Sequence, residues 1–211
     1  MYLPKSFDAP EHAWDLIQAH PLGQLISVDS QGLPFISWLP FHIDVRPQEG
    51  QEAQTGVLLG HLAKANPQVQ LLEQQPEATL VFMGPHAYMP TTVYDDALRV
   101  PTWSYAVVQM RVKVTRIEGE AAKDVLLKQL IGDHQPPYAK QWRSLPNDFT
   151  ERMLLGIMAY RFEVLALMSK FKLNQHRKEA HASMHAHYAQ GNDAERELAQ
   201  WMIKLGLVQQ P

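Results

Sequence analysis

A histidine, a lysine and an asparagine fall at positions 61, 64 and 66 of this 211-residue chain, within the run GHLAKANPQ. These residue types suit an anion. Lys64 carries a full charge and His61 offers a ring N–H. Asn66-Pro67 reads as a helix start, with Asn66 as the cap and Pro67 in the first helical position. Free backbone N–H groups and the helix dipole at such a start attract negative charge. The same residues also fit an ordinary capped connection with a solvated lysine. A second set lies further on: His86, Tyr88, Tyr94, Trp103 and Tyr105, interleaved with Pro85, Pro90 and Pro101. Aromatics with a polar tip in a proline-rich loop suit a groove or a subunit interface.

A flat aromatic ligand carrying an anionic group would use both sets. Flavin mononucleotide (FMN) has that chemistry, with a ring for apolar surface and a phosphate for fixed donors. Other clusters point less clearly to chemistry. Asp95-Asp96 reads as turn chemistry before acid–base catalysis. His181 and His185 are one helical turn apart, with His187 beside them, but two ligands on one helix are not a metal site and no HExxH is present. A solvated or capping role is the simpler reading for these histidines. There is no G-x-S-x-G, P-loop or G-x-G-x-x-G. The chain has no cysteine, which excludes disulfides, thiol catalysis and thiolate metal sites. Net charge is −3, so no global basic field recruits nucleic acid or anionic membrane. No stretch approaches a membrane span, and MYLPKSF lacks the apolar core of a signal peptide. A cytoplasmic location is the expectation.

The elements that must position these residues follow from period and punctuation. Met1–Phe7 is an arm, and Asp8-Ala-Pro-Glu11 is a helix start with Asp8 as cap and Trp14 and Ile17 facing inward. Gln24–Val28 and Pro34–Val45 form a hairpin around Asp29–Gly32, the second strand being interrupted at Pro40. Arg46–Thr55 is a loop and Val57–Gly60 a buried strand. A short helix after Pro67 buries Val69 and Leu72 and ends before Pro76. Glu77–Met83 is a strand that Gly84-Pro85 closes, followed by the long aromatic loop. Val108, Met110, Val112 and Val114 alternate with polar residues, the period of a strand with one buried side. Glu120–Ile131 is an amphipathic helix with an Asp124–Lys128 pair. Asp133–Asn147 is a surface crossing. Ile157–Phe171 is a long strand, apolar on both faces in its middle, which fits a barrel packed against a helix or a partner subunit. The tail is helical, broken at Gly191-Asn192, and ends in a helix around Leu198, Trp201, Met202 and Leu205.

Four stretches, in order, resemble one family: MYLPKSF at the start, GHLAKANPQ at 60–68, VFMGPHAYMP at 81–90 and VPTWSY at 100–105. The chain is similar to the PaiB family of FMN-binding negative transcriptional regulators, within the FMN-binding split-barrel group that includes pyridoxamine-phosphate oxidases. The likeness runs to about residue 177, ending in KLNQHR. It implies a mainly β fold with flanking helices (α+β): a six-stranded antiparallel split β-barrel over residues 1–175, with a helical tail over 176–211. It also implies an obligate homodimer with flavin sites at the subunit interface. By the same resemblance His61, Lys64 and Asn66 hold the phosphate, Ile36, Ser37, Trp38 and Leu39 meet the ring edge, and Trp103, Ser104 and Tyr105 close the site. The chain departs from the family pattern at Thr92-Val93-Tyr94, where Ser-Trp-Tyr is expected. It departs again at Ser104, where Asn is expected, and at Asn174 and His176 of the late motif.

The expectation from this reading is a cytoplasmic FMN-binding homodimer acting as a negative transcriptional regulator. No helix-turn-helix or basic helix supports direct contact with nucleic acid. The alternatives are a flavin- or haem-dependent oxidoreductase with its cofactor at the dimer interface, and a ligand-binding protein with a repurposed site.

Overall fold

The structure is a computed structural model. It describes residues 1–48 and 56–209, apart from the side chain of residue 139. The loop expected over Arg46–Thr55 therefore lies largely outside the described residues.

Among the described residues seven strands form one sheet: β1 (Leu22–Val28), β2 (Pro34–Pro40), β3 (His42–Val45), β4 (Val57–Ala63), β5 (Glu77–Met89), β6 (Thr102–Ile117) and β7 (Ile157–Lys172). Their order is β2-β1-β5-β6-β7-β4-β3, an unclosed row of seven where six were expected. The extra strand comes from Pro40. The sequence expectation was one interrupted strand over Pro34–Val45. Instead β2 ends at Pro40 and β3 starts at His42, and the two lie at opposite ends of the strand order. Proline removes a ladder donor and fixes φ, which suits an edge strand at its point of departure.

The helices are α1 (Ala13–Ala19), α2 (Gln68–Gln74), α3 (Glu120–His134), α4 (Tyr138–Ser144), α5 (Asn147–Leu155), α6 (His181–Ala189) and α7 (Asp193–Lys204). None of the described helices is long and apolar enough to cross a membrane. The chain divides into two compact units, one of Met1–Ala19, Met83–Val108 and Met168–Pro211, the other of His20–Phe82 and Gln109–Leu167.

The second unit holds an aromatic core. Phe41 stands between β2 and β3, and its ring meets Phe82 at 5.3 Å and Phe162 at 5.2 Å, both edge-on. All three rings are fully buried. The hairpin of β1 and β2 pairs Leu22–Val28 with Pro40–Pro34. Its turn forms as expected: the Asp29 carboxylate accepts from the N–H groups of Gln31 and Leu33, and Gly32 takes φ 81°. β4 pairs along its whole length with Ile157–Glu163 of β7. A smaller cluster of Val57, Leu59 and Ala159 packs with Leu126 and Leu130 of α3. The expected surface crossing at Asp133–Asn147 is instead helical. Trp142 of α4 is buried, and its indole N–H donates to Asp124 at 2.8 Å. A lone tryptophan among polar residues gives no helical period, so the sequence carried no signal for this docking. The Asp124–Lys128 pair forms as expected.

In the first unit, two expectations change. Asp8 does not cap α1. It bridges Lys170 in extended conformation, and a short 3-10 turn, Pro10–His12, leads into the helix. Gly84-Pro85 does not end β5. Burial alternates through Ala78, Leu80, Phe82 and Gly84, then shifts phase so that Pro85, Ala87 and Met89 are buried. A bulge-like phase change lets the strand continue where turn chemistry suggested a stop. A side chain at Gly84 would meet Leu16 of α1 at 2.5 Å, so close helix–strand packing requires glycine there. Val108, Met110, Val112 and Val114 are buried as expected. The tail helices fold into this unit with the N-terminal arm. Trp201 of α7 stacks near Phe171 at 4.8 Å and His12 at 6.0 Å, and Lys204 pairs with Asp15. Asn192 and Glu195 form a complete capping box at the start of α7.

The core of the second unit leaves no room beside β1. A Cβ on Gly23 would lie 2.6 Å from Phe82 and 3.1 Å from Phe41. Gly23→Ala is expected to cost about 1–3 kcal/mol through overpacking, measured by urea denaturation. An unchanged midpoint would mean that the rings yield without cost.

Candidate functional site

The expected phosphate segment lies in the second unit, where β4 runs into α2. Its local chemistry is explicit. Asn66 Oδ1 accepts the backbone N–H of Gln68 at 2.9 Å, so Asn66 caps the helix as expected, with Pro67 next. Its amide nitrogen donates to Ser37 Oγ of β2 at 2.9 Å. Because that hydroxyl oxygen accepts from Asn66, its own proton is left to donate elsewhere. Asn66 thus joins the expected ring-edge strand to the expected phosphate segment and orients Ser37. Lys64 is exposed, and its backbone N–H donates to Gly156 at 2.8 Å.

Lys64 and Asn66 line an open cleft of about 680 Å³ with Arg116, Lys123 and Glu73. Arg116 pairs with Glu73 at 3.4 Å and Glu118 at 2.9 Å. Lys123 donates to the carbonyls of Leu154 and Ile157. His61 is not among the residues of this cleft. Its ring is largely buried, its Nδ1 has no hydrogen-bond partner among the described residues, and burial pushes its pKa down. At neutral pH it is therefore an uncharged ring, a hydrogen-bonding group and not a counter-charge.

The ring-edge residues alternate along β2. Ile36 and Trp38 are 48% and 58% exposed, Ser37 turns toward Asn66, and Leu39 is buried at 3%. Register puts Trp38 opposite Gln24 and Ile36 opposite Ile26. Leu39 is part of the core and packs close to Gly60, where a Cβ would meet it at 3.1 Å.

Trp103, Ser104 and Tyr105 lie at the start of β6, in the first unit. Trp103 is 54% exposed, with its ring 6.1 Å from Tyr88 and 6.3 Å from His86. Ser104 is buried, and its Oγ accepts from the Tyr188 hydroxyl at 2.9 Å. Burial pushes that phenol up to about 12. Tyr105 faces the ammonium groups of Lys170 at 5.4 Å and Lys172 at 5.8 Å. Among the tail histidines, His181 is buried between the carbonyls of Asn174 at 3.1 Å and Leu207 at 3.2 Å. His185 is half-buried and His187 exposed. No group of three or more His, Asp, Glu or Cys among the described residues could hold a metal ion.

One polar residue escaped the sequence reading. Gln68 is completely buried, and its amide donates to Leu25 O at 2.9 Å, Ser27 Oγ at 3.0 Å and Phe35 O at 3.3 Å. It fastens the start of α2 to the hairpin that carries Ser37. A glutamine in the first turn of a helix gives no sign of burial, so only the fold could reveal it.

The chain is similar to known proteins in sequence and in fold. The "Protease synthase and sporulation protein PAI 2" of Bacillus subtilis is 29% identical over 184 residues, covering 85% of this chain and 84% of that protein. Among solved structures, the flavocytochrome Anf3 from Azotobacter vinelandii shares the fold with TM-score 0.58 and 16% identity, over 78% of this chain and 67% of that one. The FAD and heme binding protein from Mycobacterium smegmatis does so with TM-score 0.55 and 16% identity, over 79% and 73%. The fold is thus split-barrel-like, a mainly antiparallel sheet with flanking helices. Residues 1–166 match one family model, and the chain belongs to that family, described as "Putative FMN-binding domain".

Proposed function

We propose that this protein binds FMN and acts as a regulator of the PaiB type. The observation that carries the flavin reading is the family match across residues 1–166. The local chemistry fits the group. Lys64 supplies an exposed positive charge, and Ser37, whose oxygen accepts from Asn66, keeps a hydroxyl proton to donate. In this reading Lys64 and Ser37 contact the phosphate directly, while Asn66 acts by positioning Ser37. His61, uncharged by burial, offers a hydrogen bond at most. Ile36 and Trp38 provide apolar surface for the ring. When bound, FMN supplies one- and two-electron redox chemistry. The resemblance of the four sequence motifs to the PaiB family supports the regulatory role.

A second reading is a flavin- or haem-dependent oxidoreductase. Its support is the fold shared with a flavocytochrome and with an FAD and heme binding protein. FMN titration of the purified protein, followed by visible absorption, tests the flavin reading. Saturable binding is expected, weakened about tenfold or more by Lys64→Ala and by Ser37→Ala, since a charge-assisted hydrogen bond is worth about 1.5–3 kcal/mol. Absence of binding, or variants that bind as well as the native chain, would reject this assignment.

With FMN bound, NAD(P)H consumption separates the two readings. Turnover is expected for the oxidoreductase. Salt-sensitive retention of DNA without turnover is expected for the regulator.

We also infer a homodimer. Its support is an apolar face on the β1–β2 hairpin, where Leu22, Val28, Ile36 and Trp38 are each about half exposed. Isolated domains rarely leave so many large apolar side chains together. Sedimentation is expected to give a dimer, and Trp38→Glu a monomer with the same circular dichroism. A monomeric native chain would refute the inference.

A further inference from the structure

The first unit contains a recess of about 290 Å³, lined in part by Trp103 and Ser104, two of the residues that the family resemblance sets beside the flavin. Phe7, Val100 and Trp103 give it apolar walls, and Arg99, Lys172 and Arg177 bring positive charge, with no Asp or Glu in the lining among the described residues. The three cations differ in their company. Arg99 pairs with Asp96 at 2.6 Å and approaches Glu179 at 3.8 Å. Arg177 shares Glu179 at 3.9 Å.

Lys172 has no carboxylate partner among the described residues. Its ammonium donates to the Thr102 hydroxyl and, at 2.7 Å, to the Trp103 carbonyl. An ammonium has three N–H donors, so one is left over. Burial pushes its pKa down, Tyr105 opposes that shift and Lys170 adds to it. A half-buried cation without a counter-charge is costly, and a bound anion relieves that cost. Arg99 adds a buried Nε with no acceptor among the described residues. The recess is also held in shape: Asn174, in the left-handed region at φ 61°, donates from its amide to the Tyr94 hydroxyl at 3.0 Å.

Size and charge define the ligand. A recess of about 290 Å³ sits at the lower end of small-molecule sites, too small for a dinucleotide. With both arginines sharing local carboxylates, one cation is left to balance, which calls for a monoanion. We propose that this recess binds a single-ring aromatic carboxylate, its ring against Trp103 and its carboxylate at Lys172.

Calorimetric titration of the full chain with benzoate, benzamide and inorganic phosphate tests this. Benzoate is expected to saturate one site per chain, with benzamide and phosphate at least tenfold weaker. Lys172→Met is expected to weaken benzoate at least tenfold, and Trp103→Leu several-fold, with near-UV circular dichroism reporting the fold. If Lys172→Met does not fold, the half-exposed Arg177→Gln supplies the charge test, with several-fold weakening expected. No benzoate binding, equal binding of benzamide or phosphate, or folded variants that bind as well as the native chain would overturn the proposal. Lys64→Ala must leave benzoate binding unchanged, so failure of the flavin reading and failure of this one are separate results.

Discussion

Phe41 is the residue on which the second unit turns. The chain leaves the β1–β2 hairpin at Pro40 and enters β3 at His42, at the other end of the strand order. A single residue covers that change of place. It is fixed by packing on Phe82 and Phe162 and by a backbone N–H that donates to Pro21 at 2.9 Å. Edge-on aromatic contacts add specificity to plain burial. The absence of a side chain at Gly23 and Gly60 lets Phe41 settle between the strands, since a Cβ at either would press on its ring. Close-packed interiors tolerate little change in volume, so the turn and the two glycines form one constraint.

That constraint carries the polar chemistry of the same unit. With the hairpin held, Gln68 can reach Leu25, Ser27 and Phe35 at once, and Asn66 can reach Ser37. Buried polar groups stabilise only when their partners are present. Gln68 meets this condition through its amide nitrogen, while its Oε1 and His61 Nδ1 have no partner among the described residues. The result is a segment whose polar side chains divide into those that fix geometry, Asn66 and Gln68, and the exposed Lys64.

In the first unit, lysines take the structural part. Lys170 is almost fully buried, yet its ammonium donates to the Tyr2 carbonyl and lies over the rings of Tyr2 and Tyr105. Lys172, two residues on, ties the start of β6 through Thr102 and Trp103. The aromatic loop is therefore anchored by hydrogen bonds from β7 and by the Tyr188 hydroxyl on Ser104, and not by burial of its own rings.

The sequence alone determined the local devices: the Asp29–Gly32 turn, the Asn66-Pro67 helix start, the alternating face of Val108–Val114, the Asp124–Lys128 pair and the break at Gly191-Asn192. Each depends on neighbours within a few residues, where periodicity and side-chain chemistry act directly. The family, too, was legible, because four motifs stood in order. Only the tertiary structure decided that Pro40 separates two strands, that Gly84-Pro85 shifts a strand's phase instead of ending it, and that Trp142 docks on α3. It also showed that Gln68 is buried, and that Asp8 pairs with Lys170 instead of capping α1. These outcomes rest on partners distant in the chain. A proline or glycine permits both a stop and a bend, and the packing of Leu16, Phe82 or Asp124 selects between them.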